Sequence, residues 1–280
     1  MAEIGITDVA STLQEQISSQ IQSFLIQESV LMGTVTRIPA MPGMKSVELP
    51  ILDGFSVADK TENVAASLQE LTSTGDVLLL DKEKVVAFAI EQRAADQSVL
   101  NLEAAALERA AKAIALQIDT DIVAQLIQTS AAAPDHRLAY ANFLTGNTLG
   151  QADLLAARVA MHQQNLKFSD CTIACSPASE GNLLQVENFV HVDKYGQNSA
   201  TQNGEIGRLY GAPVVVTNSM ADLQTVVYHP SHVALGEQRS MRIERDRDIL
   251  KLADIFAIHC LYGTKVLDGG KRGVMLGTVA

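Results

Sequence analysis

Residues Ser98–Ser130 read SVLNLEAAALERAAKAIALQIDTDIVAQLIQTS, a stretch with neither Pro nor Gly. Leu100, Leu107, Ala111, Ile114, Ile118, Ile122 and Leu126 fall on one stripe at helical spacing. Glu108 and Lys112 stand four apart, as a helical ion pair would. The stretch predicts a single helix. At about 1.5 Å per residue it would run roughly 45 Å, long for a globular domain. Ala104, Ala105, Ala106, Ala110 and Ala113 would let neighbours approach closely. Asp119 and Asp121 lie two apart and face different directions, which argues against a paired-carboxylate site. Each is expected on a solvated helix surface or in an ion pair.

Upstream of this helix the pattern is β. Val77–Leu80 and Val85–Ile90 read as strands. Gly33–Ile51 reads as a hairpin: Thr34–Ile38 is β-favouring, and Lys45–Ile51 puts Val47, Leu49 and Ile51 on one face. Between them Pro39–Met44 forms a turn, with Pro42-Gly43 in the order a type II turn wants. Its tip carries Met41 and Met44 and no charge. A lone hairpin is marginal in water, so this one must lean on something. Residues 53–75 are polar and irregular and admit a short helical stretch near Val64–Leu71. Nearer the N-terminus, Ser11-Thr-Leu-Gln14 reads as a capping box. Leu13, Ile17, Ile21, Phe24 and Leu25 follow on one face of a helix expected to pack on a partner or on its own fold.

Downstream, Ala131–Gly146 reads as a linker. Thr148 and Gln151 form a second capping box, opening a helix to about Gln164. Cys171–Cys175 is a strand, Ala178–Val186 a short helix, and Asn188–Gly204 a polar loop. Ile206–Leu209 and Pro213–Thr217 form a hairpin around Tyr210-Gly211-Ala212. Val226–His229, Met241–Arg245 and Leu250–Tyr262 are further strands, and Asp268–Gly270 is a turn. The class is α+β. Strands flank one long helix, and a mixed section from about Leu138 to Pro230 reads as a domain inserted into another.

Composition narrows the function. The chain has 32 Asp+Glu against 21 Lys+Arg, a net charge of -11, which argues against general nucleic-acid binding through phosphates. Mean hydropathy is nonetheless +0.12, which fits either apolar surface buried between subunits or a merely Ala-rich protein. Three cysteines and no Lys or Arg before Arg37 predict a reducing compartment and no signal peptide. No apolar run approaches the ~18 residues of a membrane span.

Sites of chemistry are scarce. Dinucleotide and phosphate-loop fingerprints are missing, and Gly269-Gly-Lys-Arg-Gly273 is only a basic turn. Cys171 and Cys175 lack a second pair or His to complete a zinc site, and read as buried small hydrophobes. His229 and His232 read as an ordinary surface pair. No catalytic residue, metal ligand or cofactor is expected. One stretch stands out: Arg239-Ser-Met-Arg242-Ile-Glu244-Arg245-Asp246-Arg247-Asp248. On a strand, Arg242, Glu244 and Asp246 share one face, and Met241, Ile243, Arg245 and Arg247 the other. Two readings stand side by side: a solvated edge strand guarded by charge, or a set of ion pairs between subunits.

The order of elements resembles the Hong-Kong-97-type fold of tailed-phage major capsid proteins, over nearly the whole chain. Three phrases carry the likeness. They are Val77-Leu-Leu-Leu-Asp81-Lys-Glu-Lys84-Val, Ala110-Ala-Lys-Ala-Ile-Ala-Leu-Gln-Ile-Asp119, and Asn203-Gly-Glu-Ile-Gly207-Arg-Leu-Tyr-Gly211-Ala-Pro-Val-Val-Val-Thr-Asn218. The resemblance implies an N-arm over 1–32, an extended E-loop hairpin over 33–75, and the first part of a peripheral (P) domain over 76–137 with its spine helix at 98–130. It also implies an inserted axial (A) domain over 138–232 and returning P-domain strands over 233–280. Inter-subunit contacts are then expected at Met41, Pro42, Met44, Arg239, Arg242, Glu244, Arg245 and Arg247, and an A-domain hairpin at Asn203, Gly204, Gly207 and Gly211.

The resemblance further implies a homo-oligomer of hexamers and pentamers in an icosahedral head shell. That shell would enclose double-stranded DNA without sequence-specific binding and without a membrane. A separate scaffolding protein, a portal and a decoration protein would be partners, with assembly in the host cytoplasm and residence in the virion. Some such shells are welded by a Lys–Asn isopeptide bond. Lys45 and Lys60 are available, but Asn218 is the last Asn, so a non-covalent shell is expected. An encapsulin-like compartment shares the fold and stays open as an alternative; an α/β metabolic enzyme is a more distant one.

Overall fold

The computed structural model describes residues 29–39, 43–52, 55–57, 59–60, 62–63, 65, 68–70, 73–93, 102–127, 148–185 and 207–277. The helix expected near Leu13–Leu25, Met41 and Pro42 of the turn, and Asn203 and Gly204 lie outside them.

The long stripe forms helix α1, Leu102–Leu126. Its buried residues include Ile114, Ile118, Ile122 and Leu126, four of the seven the 3.6-residue period singled out; Leu107 and Ala111 are half-buried and Leu100 lies outside the described residues. The helix lies on a four-stranded sheet of order β1-β9-β10-β4, made of Thr36–Pro39, Val233–Asp248, Ala253–Val266 and Lys82–Glu91. Strand β4 alternates half-buried and exposed residues along its length, so one face meets the helix and the other meets solvent. Ile258, Cys260 and Tyr262 of β10 join the helix stripe in one core, as do Leu31 and Val35.

A second sheet of order β11-β8-β5-β7-β6 comprises Gly273–Gly277, Gln224–Tyr228, Thr172–Cys175, Ala212–Val216 and Arg208–Leu209. It is covered on both faces. Ala174, Val226, Tyr228 and Met275 face the first core. Ile173, Val227, Val274 and Leu276 face a second core, closed by helices α2 (Gln151–Gln163) and α3 (Pro177–Leu184). The short hairpin around Tyr210-Gly211 forms as the sequence predicts, with Leu209 opposite Ala212 and positive φ at both turn residues. Ser176 caps α3, its Oγ accepting from the Ser179 N–H.

Four expectations are corrected. The hairpin of Thr34–Ile38 with Lys45–Ile51 does not form. Strand β1 instead pairs in parallel with β9, Thr36 opposite Ala234. Strand β2, Ser46–Leu52, pairs antiparallel with β3, Ser73–Leu79. The reason is that Leu31 and Val35 are buried in the first core, which draws the adjoining strand into the body and leaves β2 to another partner. Helix α2 opens on Gly150, whose N–H donates to Asp153 Oδ2 at 2.8 Å, and not on Thr148 and Gln151. His232 is no surface residue: it is buried, in a 3-10 turn (Pro230–His232) whose preceding His229 accepts from the Ser231 N–H. Finally, the C-terminal segment does not return wholly to the first sheet. Strand β11 leaves it and pairs antiparallel with β8 of the second, where Val274 and Leu276 find an apolar neighbourhood.

Candidate assembly surfaces

Three features face outward or fix what does. The first is the β2–β3 hairpin. On β3 the side chains alternate: Leu78 is fully buried against the body, while Val77 and Leu79 are 40% and 51% exposed. Between the two strands, Phe55, Val57 and Leu68 are also exposed, without cover from the described residues. Met44, a predicted contact residue, is exposed at the hairpin root, and its carbonyl accepts from Gln238 Nε2 at 2.8 Å.

The second is the charged run. All of it lies on β9, and its alternation matches the expected faces: Arg242 stands opposite His259, Glu244 opposite Ala257 and Arg245 opposite Phe256. Because β1 pairs only with Ala234–Glu237, β9 beyond Glu237 has an open edge among the described residues. Several of its charges are engaged within the subunit. Arg245 reaches Asp254 at 2.8 Å and Glu103 of α1 at 3.7 Å, and its guanidinium lies over the Phe256 ring. Arg247 donates to Gln92 Oε1, Arg239 lies 3.9 Å from Glu83, and Glu244 lies 3.9 Å from His259. Arg242 makes no ion pair among the described residues. The open edge and its exposed charges fit both readings of this run. Beyond it the strand turns through Ile249, Leu250 and Leu252, all exposed.

The third feature was missed in the sequence. Asp119, expected on a solvated helix surface or in an ion pair, is fully buried. Its carboxylate accepts from Ser29 Oγ at 2.8 Å and from the backbone N–H groups of Val30, Leu31 and Met32 at 2.9, 3.3 and 3.2 Å. One side chain thus ties the chain at 29–32 to the middle of α1. The available signal was its position inside the apolar arc set by Ile118, Ile122 and Val123. Asp121 is engaged too, with Tyr262 Oη at 2.7 Å, Lys82 Nζ at 3.3 Å and Lys84 Nζ at 3.9 Å. Burial alone would raise its pKa. The Tyr262 hydrogen bond and the two lysines outweigh that and hold the carboxyl below the usual range.

Gly207 and Gly211 both have positive φ, and a Cβ on Gly211 would lie 3.4 Å from Ser169 Cβ. The three cysteines are free and buried, and burial pushes the Cys171 and Cys175 thiols up to about 11 and about 12. Among the described residues no group of acidic, His and Cys side chains is placed to hold a metal ion, and no helix is long and apolar enough to cross a membrane.

The sequence pattern of the phage capsid protein family matches residues 78–274, which take in the long helix, most of both sheets and the charged strand. The chain belongs to this family. It is 29% identical over 107 residues to the major capsid protein of Escherichia phage T5, a match spanning 36% of this chain and 23% of that relative. Among solved structures, the chain from Mycobacterium phage Che8 superposes with a TM-score of 0.76 at 22% identity, covering 94% of this chain and 96% of that one. The capsid chain of cyanophage P-SCSP1u gives 0.79 at 16% identity, covering 97% and 94%. The fold is therefore that of phage capsid subunits, in line with the Hong-Kong-97-type resemblance.

Proposed function

We propose that this capsid family member is the major capsid protein, building the icosahedral head shell of a tailed phage from hexamers and pentamers around double-stranded DNA. The observation that carries the reading is the β2–β3 hairpin, an arm with exposed Val77, Leu79, Phe55, Val57 and Leu68. Apolar side chains on a projecting element are stabilised by a partner surface. A second copy of the chain offers one. On the sheet face away from α1, Val85, Ala87 and Ala89 are exposed beside half-buried Ile255, Ala257 and Leu261.

In this reading the E-loop is the β2–β3 arm over Ser46–Leu79, in place of the 33–75 that the resemblance implied. Residues 1–32 are the N-arm, α1 is the P-domain spine, and 138–232 is the core of the A-domain. Arg239, Arg242, Glu244, Arg245 and Arg247 line a contact with a neighbour. Scaffolding, portal and decoration proteins are separate partners, the shell stands in the virion, and assembly takes place in the host cytoplasm.

The test is assembly. Expressed with and without a scaffolding protein, the chain should give shells or capsomers by sedimentation and negative-stain imaging. Removing residues 55–70 should leave a folded subunit and abolish shells. A monomer under both conditions, or normal shells from the shortened arm, would sink the proposal. Denatured particles should run as a single band near 30.0 kDa, since nothing covalent is needed to hold them.

A further inference from the structure

Two glycines lie face to face where the arm meets the body. In the β9–β10 register Gly236 stands opposite Gly263. On β10 Ile258, Cys260 and Tyr262 point to the helix, so Gly263 points to the other face of the sheet. Strand β3 crosses that face directly above it. A Cβ on Gly263 would sit 1.8 Å from the Leu79 carbonyl oxygen and 3.2 Å from Leu80 Cα. A Cβ on Gly236 would sit 2.7 Å from Leu78 Cδ2 and 2.8 Å from Leu80 Cδ2. Neither glycine is among the residues with positive φ. Backbone conformation does not demand glycine at either position; the space under β3 does.

The rest of the arm root is fixed around this crossing. Leu78 and Leu80 are buried on either side of Leu79, whose own side chain faces solvent. The Leu80 N–H donates to the Lys45 carbonyl at 3.0 Å, tying the two arm strands together at their base. Gln238 holds the Met44 carbonyl, and Asp76 Oδ2 accepts from the Asp268 N–H at 2.7 Å. Just before the seat, the β9–β10 register shifts between His259 and Leu261 and again between Leu261 and Tyr262. Such bulges bend and twist a sheet locally. The sheet is thus bent and stripped of side chains at the place where the arm rests.

We infer that the Gly236–Gly263 pair is the seat that sets the direction in which the β2–β3 arm leaves the subunit. The inference deepens the reading of that hairpin as the assembly arm and rests on it. Leverage explains why the seat matters. Strand β3 has 7 residues, so it spans roughly 23 Å, and tilting its root by about 10° would carry the far end ~4 Å. A displacement of that size exceeds what a packed apolar contact tolerates. The two glycines are unequal. Gly263 opposes backbone, which has nowhere to turn, whereas Gly236 opposes the ends of two leucine side chains, which can rotate.

The test compares Gly263→Ala, Gly236→Ala and the 55–70 deletion in the full chain. Gly263→Ala should lower shell yield about tenfold or more, with amide exchange at Leu78 and Leu80 about tenfold faster and α1 protection kept. Gly236→Ala should lose less, and adding Leu80→Ala should restore part of its yield while doing nothing for Gly263→Ala. Wild-type yield from Gly263→Ala would overturn the seat, as would exchange that quickens equally in α1, since the glycine would then serve only general stability. If Gly263→Ala fails to fold, the Gly236→Ala variant and its rescue decide the matter alone. Normal shells from the deletion would overturn the arm reading itself, whatever the glycine variants do.

Discussion

Strand β9 is one continuous element of 16 residues, yet its halves live in different solvents. Val233, Ala234 and Leu235 are fully buried; all three pair with β10, and Ala234 and Leu235 also pair with β1 on the other side. From Arg239 to Arg247 every residue is exposed, and one edge is open among the described residues. The near half holds the subunit together and the far half offers charge to whatever lies alongside. Residue type follows partner supply: apolar where two strands and a helix cover it, alternating in sign where water reaches one edge.

The sharpest way to test this division is to truncate both halves. Leu235→Ala should destabilise the subunit by about 3 kcal/mol, the range for emptying a packed aliphatic site. Ile243→Ala, more than half exposed on the same strand, should cost less than about 1 kcal/mol. Urea unfolding followed by circular dichroism measures both. Equal losses would mean that the far half is as structural as the near one.

The next effect concerns what braces the buried half. Asp119→Asn keeps the size but places an amide N–H2 among donors that need an acceptor. It should cost about 2 kcal/mol in the same assay, and proteolysis near residues 29–32 should quicken. A loss below a few tenths would mean that the clamp does not hold the chain there.

Sequence reading found the parts of this architecture that local signals encode. The α1 stripe needed only a 3.6-residue period, and the Arg208–Val216 hairpin needed only Tyr210-Gly211 between two apolar runs. The alternation of Arg242, Glu244 and Asp246 likewise survived into the structure, because a strand cannot avoid its period of two. The misreadings were non-local. Two β-rich runs flanking Pro42-Gly43 look like a hairpin, but β1 finds its partner at Ala234, far along the chain. Strand β3 begins Ser73-Thr-Gly-Asp76, residues that ordinarily signal a turn; the strand is set by pairing with β2. Asp119 read as a solvated or ion-paired surface carboxylate because three of its four donors are backbone groups, which no residue type announces. The seat at Gly236 and Gly263 was invisible for the same reason, since nothing in sequence says which strand lies above a glycine.

A smaller effect should appear only with pH. Tyr262 donates to Asp121 on the helix side of β10, opposite the open face. The Asp121 pKa is depressed in the folded protein, so its contribution is present above the unfolded value of about 3.9 and is lost as pH falls through the lower folded value. Tyr262→Phe removes one of the groups that depress it. The variant should be less stable at pH 7, by about 1 kcal/mol, and the gap should close as the pH falls below the unfolded value. Melting curves taken across that span check the sign; a gap that widens in acid would contradict it.

The smallest expected effect on stability is the one that bears most on function. Arg242 stands opposite His259 and two residues from Glu244 on the same face, without an ion pair among the described residues. Arg242→Glu therefore breaks no contact described within the subunit, and exposed charge changes of this kind shift folding by less than about 0.5 kcal/mol. If the charge faces a neighbouring copy, the reversal meets that copy in every interface of a shell, and a small cost per contact multiplies. Assembly followed by light scattering should then fall while the melting temperature holds, and raising the salt should narrow the difference between variant and parent. Loss of both in step would return the run to a solvated edge that serves only its own strand.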